Sequence, residues 1–518
     1  MSLLRSVATV GGWTMMSRVL GFIRDVMIAN VVGAGMVADA FFMAFKFPNL
    51  FRRLFGEGAM NAAFVPLYAG RVEADGIAEA RRFGGEVAAI LVTFMLFFTI
   101  VCLAAMPWIM QAVAPGFVDD QEKFTLTVAL AQITFPYLLF MVLCAQFSGM
   151  LNSVGKFAHA AAAPVLLNVV MITTLSLISL DVVSLPGHAM AVGVTIAGAI
   201  QFLFLARACH KAGVMVRLPR PRLTPGVKRL LILMAPGVLG AGVIQINVLI
   251  GDMLASLLRE GSVSFLYYAD RINQLPLGVV GVAVGIALLP LLTRQLKAGE
   301  TGAANHSMNR ALELSLFLTV PAAVALIAMP WPIVTVLFER GEFDAATSVA
   351  TADALRAYAI GLPAYVLIKA LSPGFFARED TRTPVRVAMI NVALNIALAV
   401  ILMQFLAHVG IALAVAVTAW ANTIALAVIL VRRGHFQLDQ RLKRILPRLT
   451  VAAGLMGAAL YFATGLISGW LQGADFLLRL ASLTGLVAGG GLLYLVTAQI
   501  LGAADLREVK GMLKRGKN

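Results

Sequence analysis

Ala105-Met106-Pro107-Trp108 recurs verbatim as Ala328-Met329-Pro330-Trp331, an offset of 223 residues. Asn168 and Asn391 stand at the same offset, and Ala63-Phe64-Val65-Pro66-Leu67 resembles Ala287-Leu288-Leu289-Pro290-Leu291 at 224. One shared tetrapeptide could be chance. Three anchors within one residue of the same offset, each in an equivalent apolar stretch, indicate an internal duplication.

Working outward from the anchors, windows of about 20 apolar residues mark helices long enough to cross a bilayer. Fourteen are read: 8–37, 39–70, 84–112, 128–151, 158–180, 186–208, 230–256, 262–293, 311–337, 350–376, 385–405, 410–431, 449–470 and 476–502. All are expected to be helices, because a backbone in lipid must satisfy its own hydrogen bonds. Six spans separate the two copies, so both copies share one orientation. The expected fold is an all-α polytopic membrane protein with 14 transmembrane helices. Two parallel six-helix lobes, spans 1–6 and 7–12, surround a central cavity, and two extra C-terminal helices have no copy. The lobes are read as 1–210 and 230–432, the basic cytoplasmic linkers as 211–229 and 433–448, and the last spans with their tail as 449–518.

Composition agrees. Of 518 residues, 60% are apolar and 13% charged, where a soluble domain carries about a quarter charged. The mean hydropathy is +0.89. The first stretch does not read as a cleaved signal peptide, since Arg18, Arg24 and Asp25 lie inside it and no small-residue cleavage site follows. Cys102, Cys144 and Cys209 show no disulfide or metal-ligand spacing. The net charge of +15 follows the loops. One face carries runs such as Arg217, Arg220, Arg222, Lys228, Arg229 and Arg441, Lys443, Arg444, Arg448, while the other has Lys123, Arg259 and Arg340. This bias places both termini in the cytoplasm. Loops this short cannot form the basic folded surface that nucleic-acid binding needs.

Charged residues inside the spans are the candidate site. An unpaired cation at mid-helix costs roughly 3 kcal/mol or more, so such residues face a wet cavity or a partner. Arg18 and Arg24 lie in span 1. Lys46, Asn49, Arg52 and Arg53 lie in span 2, Asp270 and Arg271 in span 8, and Lys369 in span 10. Asp25, Asp39 and Glu57 are the nearest acids available to neutralise the arginines. Bases outnumber acids in the first two spans, which favours an external anion, and the guanidinium fork fits phosphate or carboxylate. The alternative is an internal salt-bridge network, above all for Arg53 and Lys46. Arg18 and Arg24 are six residues apart, about 9 Å along a helix and off a common stripe. A break near Gly21 would turn both inward, and Pro48 with Gly56 and Gly58 is expected to break span 2. Asp270 is either a structural partner of Arg271 or holds it until substrate arrives. Lys369 is either a cavity wall or a snorkelling lysine. Asp252, Asn391, Asn395 and Thr418 are oxygen donors at membrane depth, able to form a sodium or proton site or to hydrogen-bond between helices. Gly281 and Gly285 make a small-residue packing motif. No HExxH, GxSxG or P-loop is present, and no enzyme signature emerges.

Three runs carry a resemblance. Ser17-Arg18-Val19-Leu20-Gly21-Phe22-Ile23-Arg24-Asp25, Phe47-Pro48-Asn49-Leu50-Phe51-Arg52-Arg53 through Gly56-Glu57-Gly58-Ala59, and Asp270-Arg271 before Pro276-Leu277-Gly278 look like the MurJ/MviN lipid II flippases. That family belongs to the multidrug/oligosaccharidyl-lipid/polysaccharide exporter superfamily. The resemblance covers essentially the whole chain. It implies a monomeric bacterial inner-membrane transporter for the undecaprenyl-pyrophosphate-linked peptidoglycan precursor lipid II, working among membrane lipid and cell-wall synthesis proteins without a cofactor. By the same resemblance Arg18, Arg24, Arg52 and Arg271 hold the pyrophosphate and spans 13 and 14 form a groove for the lipid tail. Some relatives carry sodium at positions resembling Asp252, Asn391, Asn395 and Thr418; Asn395 stands where some have an acid. The competing readings are a related polyprenyl-pyrophosphate oligosaccharide flippase, a cation-coupled drug exporter, a membrane enzyme acting on polyprenyl phosphates, or a cell-wall scaffold. A drug exporter for cations should have an acidic cavity.

Overall fold

The computed structural model describes residues 3–54, 60–473 and 475–503, and all regular structure among them is helical. The chain divides into two compact units, 1–264 with 340–343, and 265–339 with 344–518.

The first unit contains α1 (Leu3–Val32), α2 (Met36–Phe51), α3 (Met60–Ala74), α4 (Gly76–Ala104), α5 (Met106–Val113), α6 (Gln121–Thr134), α7 (Tyr137–Ser153), α8 (Phe157–Ser179), α9 (Pro186–Lys211) and α10 (Pro225–Ser256). Helix α1 packs on α8, α8 on α9, α2 on α6, and α3 and α9 on α7. The unit runs beyond the 211–229 linker because α10 packs on α2, α3, α4 and α5. The turn 340–343 also belongs to it, with the Glu342 amide donating to Asn30 O at 3.0 Å.

The second unit contains α11 (Ser262–Lys297, whose first three residues pack with the first unit), α12 (Thr301–Ala328), α13 (Pro330–Phe338), α14 (Ala345–Phe376), α15 (Arg382–Arg432), α16 (Gln440–Leu466), α17 (Ser468–Gly473) and α18 (Phe476–Ile500). Helix α14 packs on α15 and α12, and α16 on α12 and α18.

The repeated tetrapeptide does the same structural work in both units. Each copy ends a long helix and opens a short one, α4 to α5 and α12 to α13. Proline is suited to a first helical turn, where its missing N–H leaves no bond unmade. The helix after each short one starts on an aspartate. Asp120 accepts from the Lys123 amide at 3.0 Å and Asp344 from the Thr347 amide at 2.7 Å, the usual way to satisfy an orphan N–H.

Among the described residues nine helical segments are long and apolar enough to cross a membrane. One of them, α15, holds expected spans 11 and 12, joined at Ala407 (φ 47°, ψ −130°). The remaining expected spans coincide with α1, α2 with α3, α10 and α11, which carry Arg24, Lys46, Asp252 and Arg271. Between α14 and α15, Asp380 accepts from the Thr383 amide (3.0 Å) and from Arg433 (2.6 Å). The Thr383 hydroxyl and amide, then Arg433, hold its carboxyl below the usual carboxylate range.

Candidate functional site

In the first unit the charges of α1 and α2 are resolved into separate pairs. Helix α1 runs unbroken through Gly21, so no break there turns Arg18 and Arg24 inward together. Asn168 of α8 lies alongside, 3.6 Å from where a Cβ on Gly21 would be, an ordinary contact distance. Arg18 is therefore exposed while Arg24 is half-buried. Arg24 donates from Nε and Nη2 to Asp25 Oδ1 at 3.1 and 2.7 Å, and from Nη1 to Asn168 Oδ1 at 3.0 Å. Asn168 in turn donates to Ser17 O at 2.9 Å. The guanidinium is thus fixed from two helices, α1 and α8.

Pro48 lies inside α2 without breaking it, and Gly56 and Gly58 lie outside the described residues. Helix α2 gives way at 52–54 to a π-helical turn, and α3 starts at Met60. Glu57 lies outside the described residues. Arg52 donates from Nε to Asn49 Oδ1 at 2.8 Å, one turn back. Arg53 is half-buried beside it. Lys46 donates to both oxygens of Asp252 on α10, at 2.8 and 2.6 Å.

Asp39 does not neutralise an arginine. Its carboxylate is buried, accepting from Lys123 Nζ and the Gly261 amide at 2.8 Å each, and from the Ser264 amide and hydroxyl at 3.0 and 2.6 Å. Four donors fill its lone pairs, and Lys123 also lies 4.2 Å over the Phe117 ring. This is a structural knot tying α2, α6 and the start of α11. Lys123 had read as an external-loop residue because nothing in the sequence marks that it folds inward.

In the second unit Arg271 stacks on Tyr267, with its guanidinium carbon 4.7 Å from the ring centroid, and donates from Nη2 to the Tyr267 hydroxyl at 3.0 Å. Asp270 accepts from Gln274, one turn on. Lys369 is exposed on α14. Of the proposed cation ligands, Asn391 donates to Val387 O at 3.0 Å, while the Thr418 hydroxyl lies 2.8 Å from Ala414 O and 3.4 Å from Asn395 Oδ1. The one carboxylate of the set, Asp252, is already bound through both oxygens by Lys46. A cation at Asp252 would compete with the Lys46 ammonium for both oxygens. Between α16 and α18 lies a groove of about 380 Å³, lined by Leu460, Ala463, Gly485, Gly489 and Leu493 among others.

A family model described as "Lipid II flippase MurJ" matches residues 28–481. The chain belongs to this family. A "Probable lipid II flippase MurJ" of Rhizobium meliloti (strain 1021) is 48% identical, the match covering 100% of this chain and 97% of the relative. A Vibrio cholerae protein of the same description is 36% identical, with 98% of each chain covered. Among solved structures, "Lipid II flippase MurJ, inward closed conformation" matches with a TM-score of 0.77 at 27% identity, over 95% of this chain and 98% of that one. A multidrug resistance MATE family transporter of the MOP superfamily matches with a TM-score of 0.70 at 15% identity, over 82% and 97%. This last likeness concerns the fold alone.

Asn168 and Tyr267, which hold Arg24 and Arg271, are partners that the sequence reading did not assign. Asn168 had a signal, being a duplication anchor. Tyr267 had one too, lying one helical turn before Arg271.

Proposed function

We propose that this protein carries lipid II from the cytoplasmic to the periplasmic leaflet of the bacterial inner membrane by alternating access, supplying cell-wall synthesis. The observation that carries the reading is the fixing of arginines at membrane depth by short hydrogen-bonded contacts: Arg24 by Asp25 and Asn168, Arg52 by Asn49, Arg271 by Tyr267. A guanidinium held in place binds a diphosphate without first losing side-chain freedom. Arg24, Arg52 and Arg271, with the exposed Arg18, are the residues assigned to the pyrophosphate. Asp25 keeps the Arg24 charge tolerable in the apolar span until the anion arrives.

In this cycle the cavity opens first to the cytoplasm, the arginines take the diphosphate, and the lobes then rock to open the periplasmic side. The sugar-peptide head passes through the wet cavity while the lipid tail stays in the bilayer. The groove between α16 and α18, lined by small and apolar residues, suits an isoprenoid chain. The termini are assigned to the cytoplasm by the basic loops, and the working unit is a monomer. An oligosaccharide flippase would share the diphosphate chemistry and differ only at the head.

The decisive experiment reconstitutes the full-length protein in vesicles with lipid II in one leaflet and follows its appearance in the other. Transfer dependent on the protein is expected. Vesicles in which lipid II crosses no faster than in protein-free controls would overturn the proposal.

A further inference from the structure

Three lysines occupy spans or pack among them, and two are paired within the first unit: Lys46 with Asp252 and Lys123 with Asp39. Lys369 differs, making no hydrogen bond or ion pair among the described residues. It sits on α14, the most enclosed of the nine apolar segments. In its most apolar window 67% of residues are buried, against 17–50% in the other eight. Between Gly361 and Phe375, Lys369 is the one exposed residue.

A lysine snorkelling past lipid should lie on a stripe of exposed apolar neighbours three and four residues away. The neighbours here are Tyr365 and Ser372, both half-buried, and Val366 and Pro373, both buried. The opening around Lys369 is therefore narrow and partly polar. Its alkyl stem has a seat. A Cβ on Gly281 of α11 would lie 2.8 Å from Lys369 Cδ and 3.4 Å from Cε. Any side chain at 281 would force the lysine to move, so the glycine leaves a slot that the stem fills. Gly285, one turn on, lies under the Lys369 backbone at the edge of contact. The small-residue motif thus holds a cation in position, besides bringing two helices together.

Gly281 is ten residues beyond Arg271 on the same helix, about 15 Å along its axis. Asp270, eleven residues before Gly281, is engaged by Gln274. A seated ammonium with no partner among the described residues, held against the helix that carries the diphosphate arginine, calls for a second anionic group on the same ligand. We propose that Lys369 binds a carboxylate of the transported headgroup's peptide. This inference rests on the lipid II reading above. The head of such a precursor carries two kinds of anion, the diphosphate at the lipid and free carboxylates on the peptide. A peptide gains about 3.5 Å per extended residue, so a carboxylate some 15 Å from the diphosphate is within reach. Lysine, a compact point charge, suits a single carboxylate better than a bidentate diphosphate contact.

The test measures binding by the full-length protein in nanodiscs to three lipids: lipid II, lipid II with its peptide carboxylates amidated, and undecaprenyl diphosphate. Lys369→Gln is expected to weaken lipid II binding about tenfold, the effect of one charge-assisted contact. It should leave undecaprenyl diphosphate and the amidated lipid unchanged, and Lys369→Arg should retain most of the affinity. Gly281→Val, which fills the seat and spares the charge, should reproduce part of the loss. Equal weakening of all three lipids by Lys369→Gln would make the lysine a diphosphate contact and overturn the proposal. So would no effect on any. Failure of the unsubstituted protein to bind lipid II at all would instead overturn the flippase reading on which the proposal stands.

Discussion

Arg24 presents three nitrogens to two partners, and its environment separates recognition from folding. Arg24→Ala, Arg52→Ala and Arg271→Ala are each expected to weaken lipid II binding about ten- to a hundredfold, because each removes a charge-assisted contact to a diphosphate. Lysine at these positions should restore only part, keeping charge and losing the fork. Binding measured on protein that inserts normally checks this; unchanged affinity in Arg24→Ala and Arg271→Ala would remove the arginines from the site. Asp39 obeys the opposite logic. With four donors directed at a buried carboxylate, Asp39→Ala strands the Lys123 ammonium, whose side chain is 7% exposed. Removing one partner of a buried pair costs about 3–5 kcal/mol, so a marked fall in thermal stability in detergent is expected. Adding Lys123→Met to Asp39→Ala should recover part of it. A loss of lipid II binding with unaltered melting would return Asp39 to the substrate site.

The loop joining the two halves of α15 stores backbone strain in one residue. Ala407 has φ 47° and ψ −130°, a region that a Cβ disfavours and glycine enters freely. The turn persists because its surroundings fix it. His408 Nε2 donates to Ala350 O at 2.9 Å, and a Cβ on Gly410 would lie 2.4 Å from Leu402 O. Ala407→Gly is expected to stabilise the protein by about 1 kcal/mol, read as a raised melting midpoint, whereas Gly410→Ala should lower it. A lower midpoint for Ala407→Gly would show that the turn is not strained. Elements of this kind mark how far the sequence could be read. Apolar windows locate helices because burial and hydrogen bonding in lipid allow little else, and the duplicated tetrapeptide marks where long helices end on short ones. The continuity of α1 through Gly21 was not legible, since a glycine signals a kink or a close approach equally well. Nor was the partner of Asp39 legible: Lys123 is 84 residues away, and pairing across that distance is decided by packing rather than local pattern.

At the scale of the molecule, the two units share the turn at the repeated tetrapeptide and differ in their charges. The first pairs Arg24, Lys46 and Lys123 with Asp25, Asp252 and Asp39; the second holds Arg271 on an aromatic ring and leaves Lys369 in a glycine seat. This asymmetry bears on energy coupling. A coupling sodium needs a carboxylate or several oxygens that it can hold without competition. Asp252 offers both oxygens to Lys46 at 2.8 and 2.6 Å, in a pair whose side chains are 28% and 14% exposed. A sodium ion entering there must displace a tethered ammonium of the same charge. It gains no electrostatic energy by the exchange and leaves the lysine to be solvated or neutralised. Lys46 here occupies the place that a bound cation would take at Asp252. Flipping by reconstituted protein should therefore stay within about twofold when sodium is replaced by potassium at constant ionic strength, since the exchange changes no charge at Asp252. Lys46→Met exposes the carboxylate, and any sodium dependence should appear in that variant first. A tenfold acceleration by sodium in the unsubstituted protein would mean that Lys46 leaves Asp252 during the cycle, making the pair a switch rather than a fixed charge.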